Sequence, residues 1–305
     1  MTSESPVAPA RQSSAYGQPA LGQLVCQGHH DVRLVADAYG DSGHPAVLLL
    51  HGGGQTRHSW GATAQALASR GMYAVSADLR GHGDSGWDPA GDYSFDAFQQ
   101  DTEQWCQLLG TPAIVGASMG GLAGLWTEGA RAAQGLEPAS SSLVLVDIAH
   151  RSETVGIQRI VGFMNDRPDG FATLDEVADA IAAYMPQRPR PASSAGLARN
   201  VRLGDDGRYR WHWDPRFMSD GQRPRSSYDS DAFAQHASRL TMPVLLIRGR
   251  MSDVVSQQVA DEFRALVPHA EFVDVGGAAH MVAGDQNDVF ADTVIDFLQR
   301  VMVTE

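Results

Sequence analysis

The chain reads as an α/β protein: a mostly parallel sheet with helices on both faces and one long insertion. Three observations lead to this. Short apolar runs alternate with stretches of helical length up to about residue 150 and again after 240. Several runs, VLLL and LVLV among them, are apolar throughout, as expected of strands covered on both faces. From about Arg151 to Leu240 the alternation stops, which marks the insertion.

Taken in order, residues 1–21 form a Ser/Pro/Ala/Gln-rich tail expected to be disordered, with no basic start followed by an apolar leader. Eight candidate strands follow: Gln23–Cys26, Val32–Tyr39, Ala46–Leu50, Tyr73–Asp78, Ala113–Val115, Ser142–Asp147, Pro243–Arg248 and Glu271–Val275. Between them lie helical patterns at Ser59–Arg70, Ser94–Leu109, Met119–Ala133, Ser256–Leu266 and Val289–Val301. The core is thus assigned to 22–150 and 241–305, and 151–240 to a cap. Within the cap, helices are expected at Val155–Asn165 and Leu174–Met185, a Pro/Arg-rich turn at RPRPAS, and a hairpin around Gly204-Asp205-Asp206-Gly207. Tyr209, Trp211 and Trp213 alternate with polar residues, so they either build the cap's own small core or line a substrate pocket.

Composition excludes several function classes. A net charge of -13 argues against nucleic acid or an anionic membrane as partner, since both call for basic surfaces. No run of about 18 apolar residues is present to span a bilayer. All 23 basic residues are Arg, so lysine Schiff bases, pyridoxal phosphate chemistry and a P-loop are ruled out. Two cysteines, Cys26 and Cys106, are too few for a disulfide framework or a thiolate metal site and are expected as buried thiols in a cytoplasmic protein.

The chemistry starts at PAIVGASMGGLAG. An apolar strand runs into one hydroxyl, Ser118, within Gly116-Ala117-Ser118-Met119-Gly120, before a helix. This fits a strained strand-to-helix turn whose glycines make room and whose helix start offers unpaired N–H groups. A serine needs a base, and His280 in GGAAHMV is best placed, between the last strand and last helix. His150, His212, His236 and His269 sit in cap, helix or surface-like contexts that fit bland solvated roles. For the carboxylate that orients the base, Asp253 in RGRMSD is chosen, following the strand PVLLI, with Asp147 after SLVLV as the alternative acid. Either carboxylate would otherwise cap a helix or close a turn. Glycines directly after VLLL, in His51-Gly52-Gly53-Gly54, expose backbone amides, and the N–H groups of Gly53 and Met119 are assigned as oxyanion donors. Pocket candidates are His51, Gly54, Trp211, Trp213 and Met281. No metal or cofactor is called for.

Together, HGGGQTRHSW, the turn Asp78-Leu79-Arg80-Gly81-His82-Gly83-Asp84-Ser85, GASMGG, GRMSD and GGAAH resemble the α/β-hydrolase superfamily across Val32–Asp147 and Pro243–Val301. The resemblance is closest to its capped branch of small esterases and cofactor-free haloperoxidases (perhydrolases). It implies an eight-stranded α/β-hydrolase sheet with a cap, and a Ser118–Asp253–His280 triad cleaving carboxylic esters through an acyl-enzyme. Epoxide hydrolases and haloalkane dehalogenases of that branch carry Asp where this chain has Ser118. The chain departs from the branch at Gly53, where a bulky residue is common; a glycine leaves extra room beside the acyl carbon. The same triad would serve a lactonase, thioesterase, C–C bond hydrolase or perhydrolase, and the fold also hosts cofactor-free dioxygenases and non-catalytic receptors. The expected partner is a small, mostly apolar ester, acted on by a monomer or homodimer. Arg is abundant in the cap, 13 of the 23, but 12 acidic residues there offer it partners.

Overall fold

The computed structural model describes residues 20–184, 195–218, 229–276, 278, 280 and 287–302. The chain enters through β1 (Gly22–Gln27), β2 (Arg33–Tyr39) and β3 (Ala46–Leu50). It continues through α1 (Gly61–Ala68), β4 (Tyr73–Ala77), α2 (Phe95–Leu109), β5 (Ala113–Ala117), α3 (Met119–Ala133) and β6 (Ser142–Val146). Then come α4 (Thr154–Met164), α5 (Leu174–Tyr184), β7 (Val201–Leu203), β8 (Tyr209–Trp211) and α6 (Ser230–Ala237). Last are β9 (Val244–Gly249), α7 (Gln257–Leu266), β10 (Glu271–Val275) and α8 (Ala291–Met302).

Eight strands form one sheet in the order β1-β2-β4-β3-β5-β6-β9-β10. β2 is antiparallel to both of its neighbours, and every pairing from β4 to β10 is parallel. Alternate residues of the apolar strands feed two separate cores. Leu48, Leu50, Ile114, Leu143 and Leu145 pack with Phe98 and Trp105 of α2 and Leu122 of α3. Val47, Leu49, Val115, Val144 and Val146 pack with Leu67 of α1 and Val294, Phe297 and Leu298 of α8. This double burial is why these strands carry no polar side to alternate with. Serines start two of the helices: Ser94 accepts from the Ala97 amide and Ser256 from the Val259 amide.

The expected elements sit within a few residues of those observed, with two informative differences. Two strands stop one residue earlier, so Asp78 and Asp147 lie beyond the strand ends, and Asp147 has a left-handed φ of 52° that a strand cannot hold. The helix expected at Ser59–Arg70 is shortened because Arg57–Trp60 forms a 3-10 turn.

Between β6 and β9 the chain leaves the sheet. β7 and β8 pair as the expected hairpin, Val201 opposite Trp211, with Gly207 at φ 74° in its turn. Trp211 stacks on Trp213 and packs against Phe163 and Phe171. α6 instead lies on α3: His236 and Phe233 meet Trp126, and a Cβ at Gly129 would fall 2.1 Å from that of His236. The RPRPAS turn and the tail through residue 19 lie outside the described residues.

Candidate active site

Ser118 stands between β5 and α3 with φ 46° and ψ −115°, a backbone conformation that L-residues rarely hold without support. The flanking glycines provide the clearance. A Cβ on Gly116 would lie 2.4 Å from the Gly120 carbonyl carbon, one on Gly120 2.5 Å from the Leu50 oxygen, and one on Gly121 2.5 Å from Ile148. The G-x-S-x-G spacing is therefore a packing requirement of the turn.

His280 completes a hydrogen-bonded line. Its Nε2 is 3.1 Å from Ser118 Oγ, and its Nδ1 is 2.7 Å from Asp147 Oδ2. A carboxylate can only accept from Nδ1–H, which leaves the Nε2 lone pair facing the serine hydroxyl. Both His280 and Asp147 are 2% exposed.

The acid is where the sequence reading needs correction. Asp253 does not meet His280; its carboxylate pairs with Arg159 of α4 at 3.2 Å. Asp147 takes the position because β6 lies beside β5, placing its carboxyl end one strand from Ser118, while β9 is two strands away. The GRMSD loop still contributes: Ser252 Oγ donates to Asp147 Oδ2 at 2.7 Å, and the Gly249 amide donates to Oδ1 at 2.9 Å.

The glycine loop after β3 runs against the serine, since a Cβ on Gly52 would lie 3.2 Å from Ser118 Cβ. The Gln55 amide closes a turn onto the Gly52 carbonyl at 3.0 Å, with Gly54 at φ 76°. The Gly54 amide is held by His82 Nε2 at 3.1 Å, whereas the amides of Gly53 and Met119 have no partner among the described residues. Beyond Gly53 stand Met164 and Phe217, each 3.7 Å from where a Cβ would sit, and Trp213 covers Gly54.

The pocket candidates separate accordingly. His51 is not a pocket residue: it is fully buried, its Nδ1 bonded to the Gly52 carbonyl at 2.7 Å and its Nε2 to the Leu79 amide at 3.0 Å. Burial pushes its pKa down to about 4. Trp211 sits in the small core with Phe163 and Phe171, and Trp213 reaches the glycine loop. Met281 lies outside the described residues. Four residues passed over in the sequence belong to the surroundings of the site: Met164, Phe217, Ser252 and His212. His212, expected to be solvated, is 2% exposed, and His150 is also buried. The only sequence signal for His212 was its place between two tryptophans.

Several arginines between β6 and β9 are paired. Arg159, Arg210 and Arg216 bond to Asp253, Asp206 and Asp214, and Arg151 bonds to Glu262 of α7. Among the described residues, His29, His30 and Asp92 bring ring nitrogens and a carboxylate oxygen within 4.8 Å of one another, in the turns before β2 and α2. No described helix is long and apolar enough to cross a membrane.

A serine at a strained strand-to-helix turn, a histidine after the last strand and a glycine loop beside the serine define a hydrolase class. The alpha/beta hydrolase family model matches residues 47–293, and the chain belongs to that family. It is 29% identical over 254 residues to Esterase Rv0045c of Mycobacterium tuberculosis, covering 79% of this chain and 78% of that one. The crystal structure of that esterase superposes with a TM-score of 0.66 at 26% identity, covering 94% of this chain and 93% of the other. The 3-hydroxybutyrate-oligomer hydrolase of Cupriavidus necator is 25% identical over 281 residues, 86% of this chain and 92% of its own. An alpha/beta hydrolase of Novosphingobium aromaticivorans shares the fold, with a TM-score of 0.70 at 24% identity over 94% of this chain and 99% of that one.

Proposed function

We propose that the chain is a serine hydrolase of carboxylic esters, with Ser118 as nucleophile, His280 as base and Asp147, in place of Asp253, as the acid. The observation that carries this reading is the line from Asp147 Oδ2 through both ring nitrogens of His280 to Ser118 Oγ, at 2.7 and 3.1 Å. In it, His280 takes the Ser118 proton as Oγ attacks the ester carbonyl, and Asp147 stabilises the resulting imidazolium. The amides of Gly53 and Met119 receive the oxyanion. His280 then protonates the leaving alcohol, and water, activated by the same ring, releases the acid from the acyl-enzyme.

The acyl side is read as apolar, because Met164, Phe217 and Trp213 line the space beyond the glycine loop. The names of the similar esterase and oligomer hydrolase support ester chemistry on a small-molecule substrate. Residues 151–240 are read as the cap, and a monomer or homodimer in the cytoplasm as the working form.

The test is mass spectrometry after a fluorophosphonate is added. One adduct on the Ser118 peptide, lost in His280→Ala, is the expected result. Absence of an adduct in folded protein, or turnover that survives Ser118→Ala and depends on oxygen, would overturn the reading in favour of a receptor or a dioxygenase. Ester, thioester and lactone panels then rank the acyl chemistries that share the triad.

A further inference from the structure

Three histidines outside the triad stand in a row behind the glycine loop. His51 follows β3, His82 lies in the turn after β4, and His212 follows β8. Their ring centroids are 5.3 and 5.7 Å apart, and none is more than 2% exposed. Burial holds His51 at about 4 and His82 at about 3, with His212 also well below its ordinary value, so all three are neutral near pH 7.

Their partners dictate which nitrogen carries the proton. A backbone amide only donates and a carbonyl only accepts. His82 Nε2 faces the Gly54 amide at 3.1 Å and its Nδ1 faces the Arg80 carbonyl at 3.0 Å, so the proton is on Nδ1. His212 is the reverse. Its Nδ1 accepts from the Gly83 amide at 2.8 Å, and its Nε2–H donates to the Gly54 carbonyl at 3.2 Å. Two neutral rings of opposite tautomer thus grip the amide and the carbonyl of one residue. That residue is the left-handed corner of the turn whose other corner is Gly53. Three consecutive glycines at 52–54 give the turn little preference of its own, so the rings select its conformation.

We infer that His212 is a positioning residue for ester hydrolysis. By tying the Gly54 carbonyl to the Gly83 amide, it holds the Gly52–Gln55 turn in the form that presents the Gly53 amide to the oxyanion. The inference rests on the serine-hydrolase reading above. It makes the segment between β6 and β9 part of the catalytic apparatus as well as a cover, because His212 reaches the loop from that segment.

Two substitutions divide the two bonds of the ring. Asn places its oxygen where Nδ1 sits, keeping the bond from Gly83 but falling short of Gly54. Gln reaches the Nε2 position, keeping a donor for the Gly54 carbonyl. With a p-nitrophenyl ester, His212→Asn is expected to lower kcat roughly 10–100-fold, less than the ~10²–10³ of a lost oxyanion donor, with KM changed by less than about three-fold. His212→Gln is expected to recover kcat to within about five-fold of wild type. A boronic acid that forms a tetrahedral adduct on the serine should lose affinity in step with kcat/KM in the Asn variant, which a role in stability alone would not cause.

Equal kcat in folded His212→Asn and wild type, or loss in Gln as deep as in Asn, would overturn the inference. Should either variant fail to fold, nitrogen-15 NMR of histidine in the wild-type protein decides. The proton is expected on Nε2 of His212 and on Nδ1 of His82, and the opposite tautomer at His212 would sever the link to Gly54 and sink the idea. A wild type that neither hydrolyses esters nor takes a fluorophosphonate would instead defeat the underlying reading, so the two failures are separable.

Discussion

The two aspartates considered for the acid differ by which backbone groups surround them. Asp147 receives the Gly249 amide and the Ser252 hydroxyl besides the His280 ring, and its backbone is turned to φ 52°. Asp253 has a guanidinium partner across from it on α4. Asp147→Asn is expected to cut kcat by about 10³–10⁴, because an amide oriented by its neighbours favours the wrong tautomer of His280. Asp253→Asn should leave kcat within about two-fold and stability within about 0.5 kcal/mol, as for other partly exposed ion pairs. Steady-state kinetics on both proteins, side by side, checks the assignment. In the sequence the two sites look alike, each an Asp soon after an apolar run. What separates them is strand order, and spacing along one chain does not encode that. That Ser118 and His280 would meet was legible because each stands alone in its local pattern: one hydroxyl among small residues, one imidazole between the last strand and last helix.

Among the elements, the glycines divide into those that permit contact and those that only add freedom. Gly116→Ala would drive a methyl into the backbone of Gly120 and is expected to cost about 3 kcal/mol or more, or to abolish folding. Gly162, inside α4, has nothing within 4 Å of a Cβ. Gly162→Ala should therefore raise stability by about 0.5–1 kcal/mol, through helix propensity. Chemical denaturation of the two variants gives both signs in one experiment. The sheet strands were legible to within two residues at each end, because burial on both faces leaves the central ones, AVLLL, AIVGA and SLVLV, almost wholly apolar. The helix starts were legible where a serine caps them, as Ser94 and Ser256 do. The shortened α1 was not: Arg57 in the turn before it is held by Asp78 and by Asp37, contacts that no local pattern announces.

For the molecule as a whole, the row of buried neutral histidines sets a pH limit. Their folded-state pKa values lie below the ordinary 6.5, so the unfolded chain binds protons that the folded one does not. Stability is therefore full above pH 6.5 and is lost as pH falls from there toward about 4 for His51 and about 3 for His82. Arg57 near His51 and Arg202 near His212 add to the loss, while Asp78 and Asp214 near His82 oppose it. Each histidine contributes at most about 1.4 kcal/mol per pH unit over its window. Urea midpoints measured from pH 7.5 to 4.5 should be flat at the upper end and fall steeply below 6; a flat profile throughout would contradict the buried, proton-free state of the rings. The charge count alone gives no hint of this, because it treats every histidine alike.

The long excursion between β6 and β9 also bears on how the polypeptide is made. β6 ends at Val146 and its neighbour in the sheet begins only at Val244. At ribosomal speeds of about 5–20 residues per second, the largely apolar edge SLVLV waits on the order of ten seconds for its partner strand. During that wait an unpaired edge of this kind recruits whatever strand is nearby, including one from another nascent chain. Yield on expression should thus be governed by elongation rate and chaperone supply more than by the stability of the finished sheet.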